Sequence, residues 1–251
     1  MLARVRNFAD VVKVSIPAAI HVLILIAEKD LGGALIFYIT YIVILYAATR
    51  KEGYILLEAG ALAAGAAAAY KLFYHVRVRV AAWKDPWSDV ANKGYQVTQS
   101  LFAIGTGGWF GMGLCEGTPQ KIPVSKTDFI FSAICEEMGV FFGLCIILVE
   151  ISCFVMFINI SLKINSRFYK LTALGLSVEY MFQTFLTIGG VTKFIPSTGV
   201  TLPLVSYGGS SVTSTMILFA IIQGLYVKNS GRGEIGETDG KRQRRSRRNE
   251  E

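Results

Sequence analysis

Apolar residues in this chain run in long unbroken stretches separated by short polar turns. A helix needs about 20 mostly apolar residues to cross roughly 30 Å of hydrocarbon, and several stretches meet that length. The first, VSIPAAIHVLILIA over Val14 to Ala27, is short but extended inward by Val11 and Val12. It ends at Glu28, Lys29 and Asp30, which form a tight polar turn before a second run from Leu31 to Ala48. After a turn over Thr49 to Gly53, a third run from Tyr54 to Tyr74 carries GALAAGAAAAY, whose small side chains let helix backbones approach closely. Residues 75–127 then form a long polar segment with aromatic anchors at Trp83, Trp87 and Trp109. The next apolar run, Asp128 to Leu162, exceeds one membrane thickness, so its first turns are expected to stand above the hydrocarbon; Gly139 and Gly143 make a G-x-x-x-G inside it. A basic turn over Lys163 to Lys170, a span to Ile188, a Pro/Gly loop and a last span from Ser206 to Val227 complete six crossings.

The fold class is therefore all-α and polytopic. Composition agrees: 53% of the 251 residues are apolar, and the mean hydropathy of +0.48 exceeds what one buried soluble core requires. Residues 1–227 read as a multi-span membrane domain and 228–251 as a basic tail expected to be disordered. Arg4, Arg6 and Lys13, then Arg50 and Lys51, then Lys163, Arg167 and Lys170, then the tail all fall on one side. The positive-inside bias makes that side, with both termini, cytoplasmic. The Asp30 turn, the 75–127 loop and the Gly189–Val205 loop then converge outside. The first run lacks a small-residue cleavage site, so no cleavable signal is expected.

Charge and cysteines exclude two classes. The net charge of +7 concentrates at Lys241, Arg242, Arg244, Arg245, Arg247 and Arg248, a tail suited to anionic headgroups rather than to nucleic acid. Cys115, Cys135, Cys145 and Cys153 have no C-x-x-C spacing, and His21 and His75 have no second histidine at ligand spacing, which disfavours a zinc site.

Three segments carry candidate chemistry. GYQVTQSLFAIGTGGWFGMGL, residues 94–114, leads an amphipathic stretch into a glycine cluster. Without a βαβ context it is no dinucleotide fingerprint; its glycines serve either turns or a close backbone whose N–H groups face an anion. KIPVSKTDFIFSAICEEMG, residues 121–139, opens a span. A helix beginning near Thr127 would put Asp128, Ser132, Cys135 and Glu136 on one face. Ser125 to Asp128 also matches a capping box, which would give Asp128 a purely structural role. Glu136 and Glu137, acids below a membrane surface, require a partner or a wet cavity. TIGGVTKFIPSTGVTLPLVSYGGSS, residues 187–211, combines Pro196 and Pro203 with hydroxyls at Ser206, Tyr207, Ser210 and Ser211, an irregular backbone suited to a cavity wall or a re-entrant structural loop. Within the spans, Glu58, Glu150 and Glu179 are either pore residues or members of buried polar pairs.

These three segments, in this order, closely resemble the shape, elongation, division and sporulation (SEDS) family of peptidoglycan polymerases. KDLGGAL, Lys29 to Leu35, is similar to the family's P-D-x-G-x-A-L element, so the resemblance runs from about Ala27 to Val227. Lys29 replaces the usual proline, Met112 stands where many members carry lysine, and Lys126 where many carry histidine. The family normally has ten spans, whereas six are present. The resemblance implies polymerisation of lipid II in the bacterial cytoplasmic membrane, with Asp128 as catalytic aspartate and a class B penicillin-binding protein as partner. Diphosphate departure calls for positive charge, from Lys126, Lys193 or a divalent cation such as Mg or Mn near Asp30. Glu136, Ser206, Tyr207 and Ser210 are the remaining expected substrate contacts. A lipid II flippase and an inactive truncated scaffold are the rival expectations.

Overall fold

The computed structural model describes the backbone over residues 8–248 and side chains over 9–229. Eight α-helices follow in order: α1 Phe8–Ala27, α2 Leu31–Thr49, α3 Glu52–Leu72, α4 Tyr74–Lys84, α5 Tyr95–Gly107, α6 Ile130–Lys163, α7 Arg167–Val191 and α8 Gly209–Arg248. Six of them, α1, α2, α3, α6, α7 and α8, are long and apolar enough to cross a membrane, as the hydropathy pattern requires. No strand occurs among the described residues. Large apolar side chains such as Leu23, Leu56 and Leu148 are exposed on the outer faces of α1, α3 and α6, where a hydrocarbon solvent rather than a protein core receives them. The side chains of Arg4, Arg6 and the Lys241 to Arg248 cluster, on which part of the sidedness rests, lie outside those described, and the backbone of the expected disordered tail continues α8 as helix to Arg248.

The bundle centres on α7, which packs against α2, α6 and α8. Phe157, Tyr180, Leu218 and Ile222 join α6, α7 and α8, and Phe157 meets Tyr180 and Phe219 edge-on at 5.4 and 4.9 Å. A second cluster, Ala103, Ile122, Phe129, Phe131, Cys135, Val191 and Leu202, closes the bundle end where α5 and the first turns of α6 meet the end of α7. Basic residues gather at the opposite end. There Arg167 donates to the Ala48 carbonyl at 2.5 Å, Lys170 to that of Leu162 at 3.2 Å, and Asn229 to that of Lys163 at 3.1 Å.

Two expectations change. Residues 75–127 are no open loop: they hold α4, α5 and two short 3-10 turns, and α5 buries Val97, Thr98, Ser100 and Ala103 against the bundle. The excess length of the α6 run does not simply stand above the hydrocarbon. The helix breaks at Gly139 (φ 85°, ψ 164°), and the chain bends so that Phe131 and Cys135 pack onto Gly143. A helix broken at this depth exposes backbone groups that must find partners. The glycine loop supplies them: Met112 and Gly113 donate N–H bonds to the Glu136 and Glu137 carbonyls at 2.9 and 3.0 Å, while Val140 and Phe141 donate to the Gly108 and Trp109 carbonyls at 2.9 and 3.2 Å. Gly139 and Gly143 thus serve a bend and its inner packing.

Candidate functional site

The Asp30 turn, α4, the 121–129 segment and the 192–208 loop meet at one end of the bundle. Pro123 and a left-handed Val124 (φ 51°) keep the chain out of helix ahead of α6. Its amides are spent in local turns, Ser125 to Ile122, and Thr127 and Phe129 to Val124, at 3.2, 3.0 and 3.4 Å. Buried Ile122 and Phe129 anchor the segment at both ends.

Consequently α6 starts at Ile130, with Phe129 as its N-cap and no side-chain cap bond. The capping box expected of Ser125 and Asp128 does not form. Nor does Asp128 share the helical face of Ser132, Cys135 and Glu136, which are buried in α6; it sits two residues before the helix on a turn. Its carboxylate is thereby released from a capping role.

Ser206 fixes this turn from the other loop. Its buried hydroxyl donates to the Thr127 carbonyl at 2.7 Å and accepts from the Leu202 N–H at 2.8 Å, while the Tyr207 N–H donates to the Lys126 carbonyl at 2.8 Å. The two residues preceding Asp128 are therefore held by the Leu202–Tyr207 turn. On its other side Asp128 faces α4. Arg79 donates from Nη1 to the Thr198 carbonyl at 2.7 Å, and a Cβ placed on Gly199 (φ 80°) would lie 3.1 Å from Arg79 Nη2 and 3.5 Å from Asp128 Oδ2. Gly199 thus lets a guanidinium and a carboxylate approach the same stretch of backbone. Burial pushes the Asp128 carboxyl above the ordinary aspartate range, against the opposing pull of a hydrogen bond with Thr127 and the Arg79 charge.

The remaining expected residues divide. Lys126, Ser206 and Tyr207 line an open cavity of about 620 Å³ with Ile130, Val205 and Val212, and Tyr207 is 78% exposed. Ser210 is exposed in the first turn of α8. Asp30 caps α2, accepting the Gly33 N–H at 2.8 Å, and its turn abuts Thr198 and Val200 through Gly32. Lys193 is left-handed (φ 61°) just past α7, and its carbonyl accepts the Trp83 indole N–H at 3.2 Å. Glu136 lies away from Asp128, in a smaller pocket under α5. The anion-facing reading of the glycine cluster loses its donors, because the amides of Gly111, Met112 and Gly113 are all bound to backbone carbonyls.

Arg79 escaped the sequence reading. Its only signal is HVRVRV, two arginines at the start of a segment that otherwise reads as loop. The charged neighbour of Asp128 is a guanidinium, and among the described residues no three His, Cys, Asp or Glu side chains gather into an all-protein metal cage.

Comparison with known proteins covers most of the chain. The model of the FtsW/RodA/SpoVE family, described as cell cycle protein, matches residues 3–231. Peptidoglycan glycosyltransferase RodA of Mycobacterium tuberculosis (strain H37Rv) is 41% identical over 203 residues, covering 81% of this chain and 43% of that protein. Probable peptidoglycan glycosyltransferase FtsW of Aliivibrio salmonicida is 35% identical over 205 residues, covering 79% and 51%. A chain solved in a peptidoglycan synthase complex, in which polymerization and crosslinking are structurally coordinated, superposes with a TM-score of 0.73 at 25% identity, covering 91% of this chain and 66% of that one. The chain spans about half the length of the curated relatives it matches.

Proposed function

We propose a function on one premise: this chain belongs to the FtsW/RodA/SpoVE family of cell cycle proteins. It is a multi-pass bacterial membrane protein, and its activity is peptidoglycan glycosyl transfer with lipid II as substrate. The observation that carries this reading is the placement of Asp128, off the helix, half-buried and beside Arg79.

In the reaction, the Asp128 carboxylate accepts the proton of a sugar hydroxyl as its oxygen attacks the anomeric carbon of a lipid-linked donor. The bond from that carbon to the diphosphate oxygen breaks, its electron pair leaves with the diphosphate, and the configuration inverts. Desolvation raises the basicity of Asp128, while Arg79 keeps its ionised form accessible. Lys126 stands at the rim of the 620 Å³ cavity, two residues from the base, where its ammonium offsets charge developing on the diphosphate. Ser206 is a positioning residue acting through the Thr127 carbonyl. The site faces the outer leaflet, since the Arg50, Lys163 and Lys170 turns lie at the opposite end. A class B penicillin-binding protein is the partner, in keeping with the complex that supplies the structural neighbour.

The chain is reconstituted in liposomes with lipid II, and glycan is separated by size. Asp128→Asn, nearly isosteric, is expected to lower polymer formation at least about 100-fold with unchanged helical content. Equal polymer from both proteins removes Asp128 from the chemistry. Lipid II crossing the bilayer without polymerising points instead to a flippase, and partner binding with neither activity to a scaffold.

A further inference from the structure

Glu136 is 5% exposed in the first half of α6. Its Oε1 accepts from the Thr118 N–H at 3.2 Å and from the Thr118 hydroxyl at 3.4 Å, but its Oε2 is buried with no donor among the described residues. An unpaired carboxylate oxygen is expensive to bury, and none of the described residues forms an ion pair with it. It lines a pocket of about 180 Å³ whose other walls include Gln99, Phe102 and Thr106 of α5 and Lys121. Gln99, Phe102 and Thr106 repeat at helical spacing, so α5 turns one mixed face toward Glu136. Thr106, Thr118 and Lys121 are exposed at the mouth, which leaves the pocket open to a ligand.

We propose that this pocket is a saccharide site separate from the Asp128 centre, in which Glu136 Oε2 accepts a hydrogen bond from a sugar hydroxyl. The volume equals about six waters of liquid, the size class of one pyranose ring rather than of a whole disaccharide. Its lining suits a neutral polyhydroxyl compound. Gln99 and the threonines both donate and accept, Phe102 offers an apolar face to ring C–H groups, and the Lys121 ammonium opposes a cationic occupant. The turn segment between Ile122 and Phe129 runs from this pocket to the Asp128 turn, so a glycan can hold one ring here while another reacts. That the ring belongs to a cell-wall glycan rests on the glycosyltransferase reading; the need of Oε2 for a donor does not.

The test uses the whole chain in nanodiscs and the β-1,4-linked tetramer of N-acetylglucosamine as probe, with binding read by calorimetry. Glu136→Ala is expected to weaken binding at least about tenfold, as is usual for loss of a hydrogen bond to a charged group, whereas Asp128→Asn retains it. Phe102→Ala, at a half-exposed side chain that leaves the α5–α6 core intact, weakens it independently should Glu136→Ala fail to fold. Unchanged binding in Glu136→Ala and Phe102→Ala overturns the proposal and assigns the pocket to water. Loss of binding in Asp128→Asn equal to that in Glu136→Ala overturns it too, by merging the two sites. If Asp128→Asn still polymerises while Glu136 governs tetramer binding, the catalytic reading fails and the saccharide site stands.

Discussion

Two acids in the spans, Glu58 and Glu150, and the acid at the bundle end answer burial in opposite ways. Glu58 on α3 is buried and receives the Tyr38 hydroxyl at 2.6 Å, and buried Glu150 on α6 is hydrogen-bonded by Tyr180 and by Thr184 at 3.3 Å. Each is a helix-to-helix lock made with neutral donors. Asp128 has no such lock. It stands on a turn held by other residues' backbone bonds, with a hydrogen bond to the adjacent Thr127 and a guanidinium facing it rather than a tie to another spanning helix. An acid that binds helices together is satisfied within the fold, whereas the acid proposed as the base is positioned by its neighbours.

Four substitutions break or sharpen this contrast. The largest effect is expected at Gly139, whose left-handed conformation places it against the Trp109 carbonyl and the Gly111 amide. Gly139→Ala introduces both strain and overlap, and is expected to cost at least about 3 kcal/mol by combining an unfavourable backbone region with a steric clash. The check is thermal unfolding in detergent, with loss of the α5–α6 packing that walls the Glu136 pocket.

Tyr180→Phe comes next. It removes a donor from Glu150 while leaving the ring in its contacts with Phe157 and Phe219, and is expected to destabilise by roughly 1–3 kcal/mol, the cost of an unpaired buried acceptor. Asp128→Asn in the same assay is expected to be neutral or stabilising near neutral pH. The sign follows from linkage: a carboxyl whose value is raised on folding binds more protons in the folded than in the unfolded state, so its contribution declines as pH rises from the ordinary aspartate value through the folded one. A loss in Asp128→Asn comparable to that in Tyr180→Phe would erase the distinction between locking and working acids.

The smallest effect is a displacement along the pH axis. Because Arg79 pulls the Asp128 carboxyl down against desolvation, Arg79→Met is expected to move the acid limb of the polymerisation profile to higher pH, where a base must be ionised to act. An unmoved limb, with only the plateau lowered, would give Arg79 a role in holding Thr198 rather than in tuning the base.

Six spans, their turns and the three loop motifs follow from the sequence alone, because membrane crossing depends on sums over about 20 consecutive residues. Asp128 and Ser206 were both legible as candidates from local residue types, and the likeness to a polymerase family rested on the same contiguous stretches. What joins them was not. That Ser206 grips the carbonyl before Asp128, that Arg79 arrives from a segment 49 positions upstream, and that the capping box goes unused are outcomes of long-range packing. The glycine cluster makes the same point. Spacing suggested a turn or an anion cradle, yet only the tertiary structure decided that its amides and carbonyls patch a broken helix, since the break and its patch lie about 30 residues apart and backbone hydrogen bonding carries no side-chain signature to read.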